Sequence, residues 1–202
     1  MPMMISGGGY TPRRPVMAFI DGGHLRSGVK EQTGFSEDKI NFRSLAGFLQ
    51  NAAGFGGVTP TLIRLYYYDA IIDAKDNHDK HDSQLKYFDK IDNMDLYEVR
   101  LGRMLPDNAS SQKENKYKQK GVDVLMAIDM LTKAYQDQFE VAVFLGGDDD
   151  FLDLIKAVKD VGKNVVGVYF PEKASKRLVK AFDLRVPIDK ATCDRFELFR
   201  PD

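Results

Sequence analysis

Apolar positions in this chain fall into two alternating periods. Segments 16–20, 62–68, 141–145 and 165–170 are mostly continuous apolar runs of the length expected for buried strands. Segment 96–101 sets Tyr97, Val99 and Leu101 against Glu98 and Arg100, as a half-exposed edge strand would, and 184–188 is a last short run. Between them the spacing turns helical. Leu45, Phe48, Leu49 and Ala52 share one face of a helix that ends before Gly54. Val124, Ala127, Ile128, Leu131 and Tyr135 mark a second helix; Phe151, Leu154, Ile155 and Val158 mark a third, stopped by Gly162. Strands alternating with helices predict a three-layer α/β/α sandwich around a mostly parallel sheet. Two polar stretches, 69–82 and 106–121, read as surface excursions. The second carries Lys113, Lys116, Lys118 and Lys120 around Tyr117.

The chain has 202 residues, the size of one ordinary domain with a core of its own. No apolar run approaches the roughly 18–20 residues of a membrane helix, so no membrane partner is expected. The opening "MPMMISGGGYTPRRP" lacks the apolar centre of a signal peptide and reads as a flexible tail. A lone Cys193 rules out an internal disulfide and suits a reducing compartment, so a cytoplasmic protein is the simplest expectation. The net charge of −1 excludes a protein that coats nucleic acid by bulk positive charge, but not an enzyme touching a few phosphates. A homo-oligomer is left open.

The chemistry concentrates where strands end. "VMAFIDGGH" closes on Asp21 and "VAVFLGGDDDF" on Asp148, each beside glycines that allow tight turns. Ligands of open parallel sheets collect beyond the carboxyl ends of strands, so these acids meet if their strands are neighbours. A third acid, Asp123, lies in the first turn of the helix begun by "KGVDVLMAIDM". That helix is apolar around most of its circumference, which predicts deep burial and a paired or metal-bound carboxylate. Asp129, about 120° further round, points elsewhere. Any one of these aspartates could simply cap a helix, and one of Asp148, Asp149 and Asp150 is expected to do so. Capping alone does not account for acids on two separate strand ends. Clustered oxygen donors without a Cys/His grouping suit Mg²⁺ or Mn²⁺.

"FIDGGHL", "KQKGVDVLMAIDML" and "VFLGGDDDFLDLIKAVKDVGKNVVGV" resemble, in order and spacing, the NYN domains of the PIN-like nuclease superfamily, in particular the bacterial LabA-like branch; "RLYYYDA" and "ASKRLVKAFD" are similar to that branch too. The resemblance spans residues 14 to 190, leaving 1–13 as tail and 191–202 as a C-terminal extension. It implies a PIN-like, Rossmann-like sheet of strand order 3-2-1-4-5, in which the Asp21 and Asp148 strands are adjacent. It also implies a catalytic metal site of Asp21, Asp123, Asp148 and Asp150, with Asp149 on the variable position, outward or capping. The family's function would be metal-dependent hydrolysis of RNA. His24 could donate to a phosphate; the lysine-rich stretch before Asp123, with Lys118 and Lys120, is either a solvated loop or a guide for a single-stranded phosphate backbone. His24 stands where the family usually has Asn, and Gly146 where it has Ser; the imidazole charge is expected to vary near neutral pH.

Competing readings fit less well. The "GGDDDF" string has one residue too many for a diguanylate cyclase signature and leads into a helix, not a hairpin. A haloacid-dehalogenase phosphatase needs a second Asp where Gly23 stands. A receiver domain needs an acid pair before its first helix, and "SGGGY" follows no strand, as a dinucleotide loop would. His78 and His81 in "DNHDKHD" have metal-ligand spacing but sit in a solvated charged segment. Tyr117 among its lysines could stack on a base. The alternative to a ribonuclease is a regulatory RNA- or protein-binding module on the same fold, with a weak or vestigial metal site.

Overall fold

Strand β1 (Arg13–Asp21) is buried on both sides, and its alternation splits the core in two. A computed structural model describes residues 13–106 and 117–199. Val16, Ala18 and Ile20 face one layer of helices, while Met17 and Phe19 face the other. Helices α1 (Gly22–Thr33) and α2 (Phe42–Ala52) follow, then β2 (Thr59–Ile72), α3 (His78–Asp92), β3 (Tyr97–Pro106) and β4 (Tyr117–Lys120). The second half runs α4 (Val122–Tyr135), β5 (Val141–Leu145), α5 (Leu152–Asp160), β6 (Asn164–Tyr169), α6 (Lys176–Ala181), β7 (Leu184–Pro187) and α7 (Lys190–Arg195).

The strands form one sheet in the order β4-β3-β2-β1-β5-β6-β7. All pairs are parallel except β3 with β4, so without the β4 hairpin the series is the expected 3-2-1-4-5 with one strand added. Side chains of α1, α2, α3 and α7 cover one face, and those of α4, α5 and α6 cover the other. This is the three-layer α/β/α sandwich. β1 is centred between β2 and β5, with Ile20 opposite Leu145, so the chain leaves β1 and β5 at neighbouring points of one rim.

Several expectations change. Helix α1 carries no sequence signal beyond Leu25 and Val29; its glycines are fitted to neighbours, since a Cβ on Gly28 would stand 2.1 Å from the Phe170 ring. Segment 69–82 is not all surface: β2 runs on to Ile72, and Asp69 on it is 1% exposed. Burial is tolerated because Arg26 pairs with that carboxylate. Segment 106–121 contains β4, which takes the edge position expected of β3; Lys113 and Lys116 lie outside the described residues.

The orientation of α4 also differs. Its buried face is Val122, Met126, Met130 and Ala134, a four-residue step, whereas Val124 is 61%, Ile128 58% and Tyr135 75% exposed. A helix apolar on nearly every side offers two faces of similar hydropathy. Here the flexible methionines pack against Tyr66, Tyr68 and Phe139, and the branched residues turn to solvent. Residues 1–12, assigned to the tail, lie outside the described residues, and Arg13 already belongs to β1. Beyond position 190, Cys193, Leu198 and Phe199 are buried, and Phe199 bridges Ile40 ahead of α2. Among the described residues no helix is long and apolar enough to cross a membrane.

Candidate active site

A cleft of about 670 Å³ opens at the rim where β1 and β5 end, lined by Asp21, His24, Gln119, Asp123, Asp148 and Asp149 with Gly23, Ser27, Gly147, Lys173 and Ser175. Asp21 enters as the N-cap of α1, its Oδ1 accepting the His24 backbone N–H at 3.0 Å. Glycines after each of the two strands are forced by crowding. A Cβ on Gly22 would lie 2.5 Å from Asp69 Oδ2, and one on Gly147 would lie 2.4 Å from His24 Cε1. Gly146 is explained in the same way, because Phe144 occupies the space a side chain there would need, 2.6 Å from an added Cβ.

The acids act on one another. Burial, above all, raises the pKa of Asp21; the His24 N–H opposes this, and the charge of Asp123 adds to it. Asp123 is not deeply buried as expected but exposed at the rim, because α4 buries its Val122–Met126–Met130 side; its pKa is raised too, first by partial desolvation and then by Asp148 and Asp150. Expected residues Asp21, Asp123 and Asp148 therefore meet at the cleft. Asp150 does not line it but stands close enough to repel Asp123. Asp129 is elsewhere: it accepts from Tyr68 Oη at 3.0 Å and pairs with Lys133 at 3.4 Å.

Within the aspartate triplet the roles are redistributed. Asp148 is the cap, its Oδ1 accepting the Asp150 N–H at 3.0 Å. Asp149 neither caps nor turns away: it lines the cleft, accepts from Ser175 Oγ, and pairs with Arg177 at 2.7 Å. Residues Asp149–Phe151 form a 3-10 turn, which swings Asp149 toward α6 and the cleft wall. The loop is further tied to the start of α6 by Ser175 N–H donating to Gly147 C=O at 2.8 Å.

His24 is 9% exposed, beside Phe170 with ring centroids 5.5 Å apart. Burial, helped by Lys173 and opposed by Asp148, pushes its pKa down to about 4. The imidazole is thus neutral near pH 7, not variable in charge. Its Nε2 accepts the Phe170 N–H at 3.3 Å, which leaves the proton on Nδ1.

Lys118 and Lys120 are exposed on β4 and do not line the cleft; Gln119 between them does. Sequence reasoning also missed Ser27, Lys173 and Ser175. Beneath the cleft lies a second carboxylate, Asp69. It pairs with Arg26, which also donates from NH2 at 3.1 Å, and accepts from Tyr67 Oη at 3.2 Å and the Ala70 N–H at 2.8 Å. Gln119 reaches it at 3.4 Å. His78 and His81 part company: His78 meets Asp82 at 3.4 Å, while His81 Nδ1 contacts the Ile72 carbonyl at 2.7 Å. Cys193 is buried and its thiol pushed up to about 11, an inert core group.

The fold and cleft agree with what the chain is similar to. A Vibrio parahaemolyticus protein of unknown function superposes with a TM-score of 0.58 at 17% identity, over 87% of this chain and 93% of that one, which establishes likeness of fold. A Parabacteroides merdae protein described as an oxidoreductase aligns with a TM-score of 0.31 at 11% identity, over 83% of this chain and 27% of that one, too weakly to bear on function. No curated protein matches. The NYN domain family matches residues 15–189, and the chain belongs to that family, with its PIN-like nuclease fold.

Proposed function

We propose that the protein is a metal-dependent ribonuclease hydrolysing phosphodiester bonds of single-stranded RNA. One observation carries the reading: carboxylates from three elements, Asp21, Asp123 and Asp148, face one cleft closely enough that burial and mutual repulsion raise Asp21 and Asp123. Carboxylates raised in a cleft by desolvation and by one another are the arrangement expected of a functional site. That the substrate is RNA rests on membership of the family.

Among the described residues, no three His, Cys, Asp or Glu side chains already enclose a metal position. The donor set still fits a hard divalent ion. Mg²⁺ keeps several waters and takes one or two carboxylates plus substrate phosphates, so a complete protein cage is not required. Asp21 and Asp123 would hold Mg²⁺ or Mn²⁺, with Asp148 and Asp150 adding negative charge beside them. When bound, such an ion supplies Lewis acidity, lowering the pKa of adjacent water and balancing charge on phosphoryl oxygens. The chain's own groups position the substrate. Asp21 is fixed by its cap hydrogen bond. Neutral His24 presents Nδ1–H without adding charge, and the Gln119 amide offers a neutral donor to phosphate or ribose oxygens. No protein nucleophile is needed.

The lack of a closed ligand set among the described residues favours a second reading, an RNA- or protein-binding module with a vestigial site. The test is cleavage of labelled single-stranded RNA in Mg²⁺ or Mn²⁺ against chelator. Metal-dependent cleavage is expected, lowered about a hundredfold or more by Asp148→Asn, as for loss of a key electrostatic group. No cleavage, or cleavage that neither chelator nor Asp148→Asn changes and that therefore does not come from this site, would leave only the binding module.

A further inference from the structure

Resting on the ribonuclease reading, we infer that a basic ridge on α6, made by Lys176, Arg177 and Lys180, guides the phosphate backbone of the substrate away from the cleft. The acids at the cleft repel a polyanion, so affinity for RNA must come from cations beside them. Lys173 lines the cleft, but its ammonium is 2.6 Å from Glu31 and largely balanced there. The β4 lysines, Lys118 and Lys120, supply charge on one flank only. In the sheet order, β4 lies on the β2 side of the cleft and α6 follows β6 on the opposite side.

The ridge starts at the cleft wall. Ser175 lines the cleft and caps α6, and Arg177, 74% exposed at its side chain, bonds Asp149 beside the cleft. Lys176 and Lys180 stand one turn apart on the same side, about 6 Å along the axis. Both are exposed, and neither ammonium has a hydrogen-bond or ion-pair partner among the described residues. A partly engaged arginine beside the cleft, with one free lysine before it and another a turn further along α6, suits a flexible chain of phosphates. β4 and α6 together would place a cationic flank on each side of the acids, so the strand crosses the carboxylates between them.

The test separates this from the nuclease reading, because it needs no cleavage. Binding of a fluorescein-labelled oligouridylate is followed by anisotropy in chelator across a salt titration. The proteins are the parent, Lys176→Ala/Lys180→Ala, and Lys86→Ala/Lys90→Ala on the exposed side of α3, which changes net charge equally. The α6 pair should flatten the slope of log K against log salt by about 1.4, that is, about 0.7 per lost phosphate contact. The α3 pair should leave it unchanged. Equal effects of the two pairs, or a parent that does not bind the oligonucleotide, would overturn the inference. Loss of metal-dependent cleavage with the slopes as expected would overturn the nuclease reading alone.

Discussion

Two carboxylates on neighbouring strands sit where β1 ends, Asp21 closing β1 and Asp69 one residue past its level within β2, and are treated in opposite ways. Asp69 on β2 has a side chain with no accessible surface, yet Arg26, Tyr67 and the Ala70 N–H together satisfy it. Asp21 on β1 receives backbone N–H groups only and faces Asp123. The nearby cation is already committed, since Arg26 also pairs with Glu37 at 2.9 Å. A balanced acid and an unbalanced one stand side by side, with Gly22 the only residue slim enough to pass between Asp21 and Asp69. The fold can neutralise a buried carboxylate, and it does so at one of the two positions. The difference separates an acid that holds the structure from an acid kept available for a ligand.

The sharpest way to break this comparison is to remove each acid in turn. Asp69→Asn should destabilise the protein by about 3 kcal/mol in urea unfolding, the low end for losing one member of a buried pair, because Glu37 remains beside Arg26. A loss under about 1 kcal/mol would mean that Asp69 is as dispensable as a surface acid.

The wall of the cleft gives the next effect. His24 has a folded-state pKa of about 4, below the ordinary 6.5, so the unfolded chain takes up the proton first. Stability is therefore whole above about pH 6.5 and drains as pH falls toward 4. Measured against His24→Asn by thermal or urea unfolding, the parent should lose up to about 3 kcal/mol across that window. A gap between the two that does not change with pH would mean the imidazole charges freely in the folded state.

The smallest effect should have the opposite sign. The Asp21 carboxyl is raised, so its folded state holds a proton longer than the unfolded chain, and stability is lost as pH rises through the raised value. Asp21→Asn keeps a good N-cap and removes the charge. In chelator at pH 7 it should melt about 2–4 °C above the parent, roughly 1 kcal/mol for a chain of this size, and the gain should vanish in acid. A lower melting temperature would place Asp21 with Asp69 as a structural acid.

The central strands were legible because β1, β5 and β6 are buried on both faces and write continuous apolar runs. Asp21 and Asp148 were legible for the same reason: an acid after such a run has to stand at a rim. Asp69 was not. Its partner Arg26 lies 43 residues away, on a helix whose three glycines and two buried apolar side chains conceal it. The face of α4 was misread because hydropathy does not distinguish Ile128 outward from Met130 inward; packing volume does. Gln119 was passed over for the lysines on either side because β4 was taken for loop. In a strand, alternate residues face opposite ways, which sends Gln119 inward and Lys118 and Lys120 out. Asp149, expected outward or capping, faces the cleft because the chain has already begun to coil there.

The contact between the start and face of α2 and residues 196–199 bears on how the chain reaches this state. Asn41 N–H donates to the Leu198 carbonyl at 2.8 Å, the Asn41 amide donates to the Glu197 carbonyl at 3.2 Å across 156 residues, and Phe48 meets Phe196 with ring centroids 4.8 Å apart. One layer of the sandwich is thus sealed by a segment synthesised long after the strands it covers. Until then the outer part of the apolar side of α2 is open to water, and β1 has itself waited for β5, whose Val141 pairs with Val16. High sequence separation of this kind slows folding and prolongs exposure of sticky surface in nascent chains. Ribosome-bound intermediates ending before residue 190 should accordingly recruit chaperones that full-length chains release.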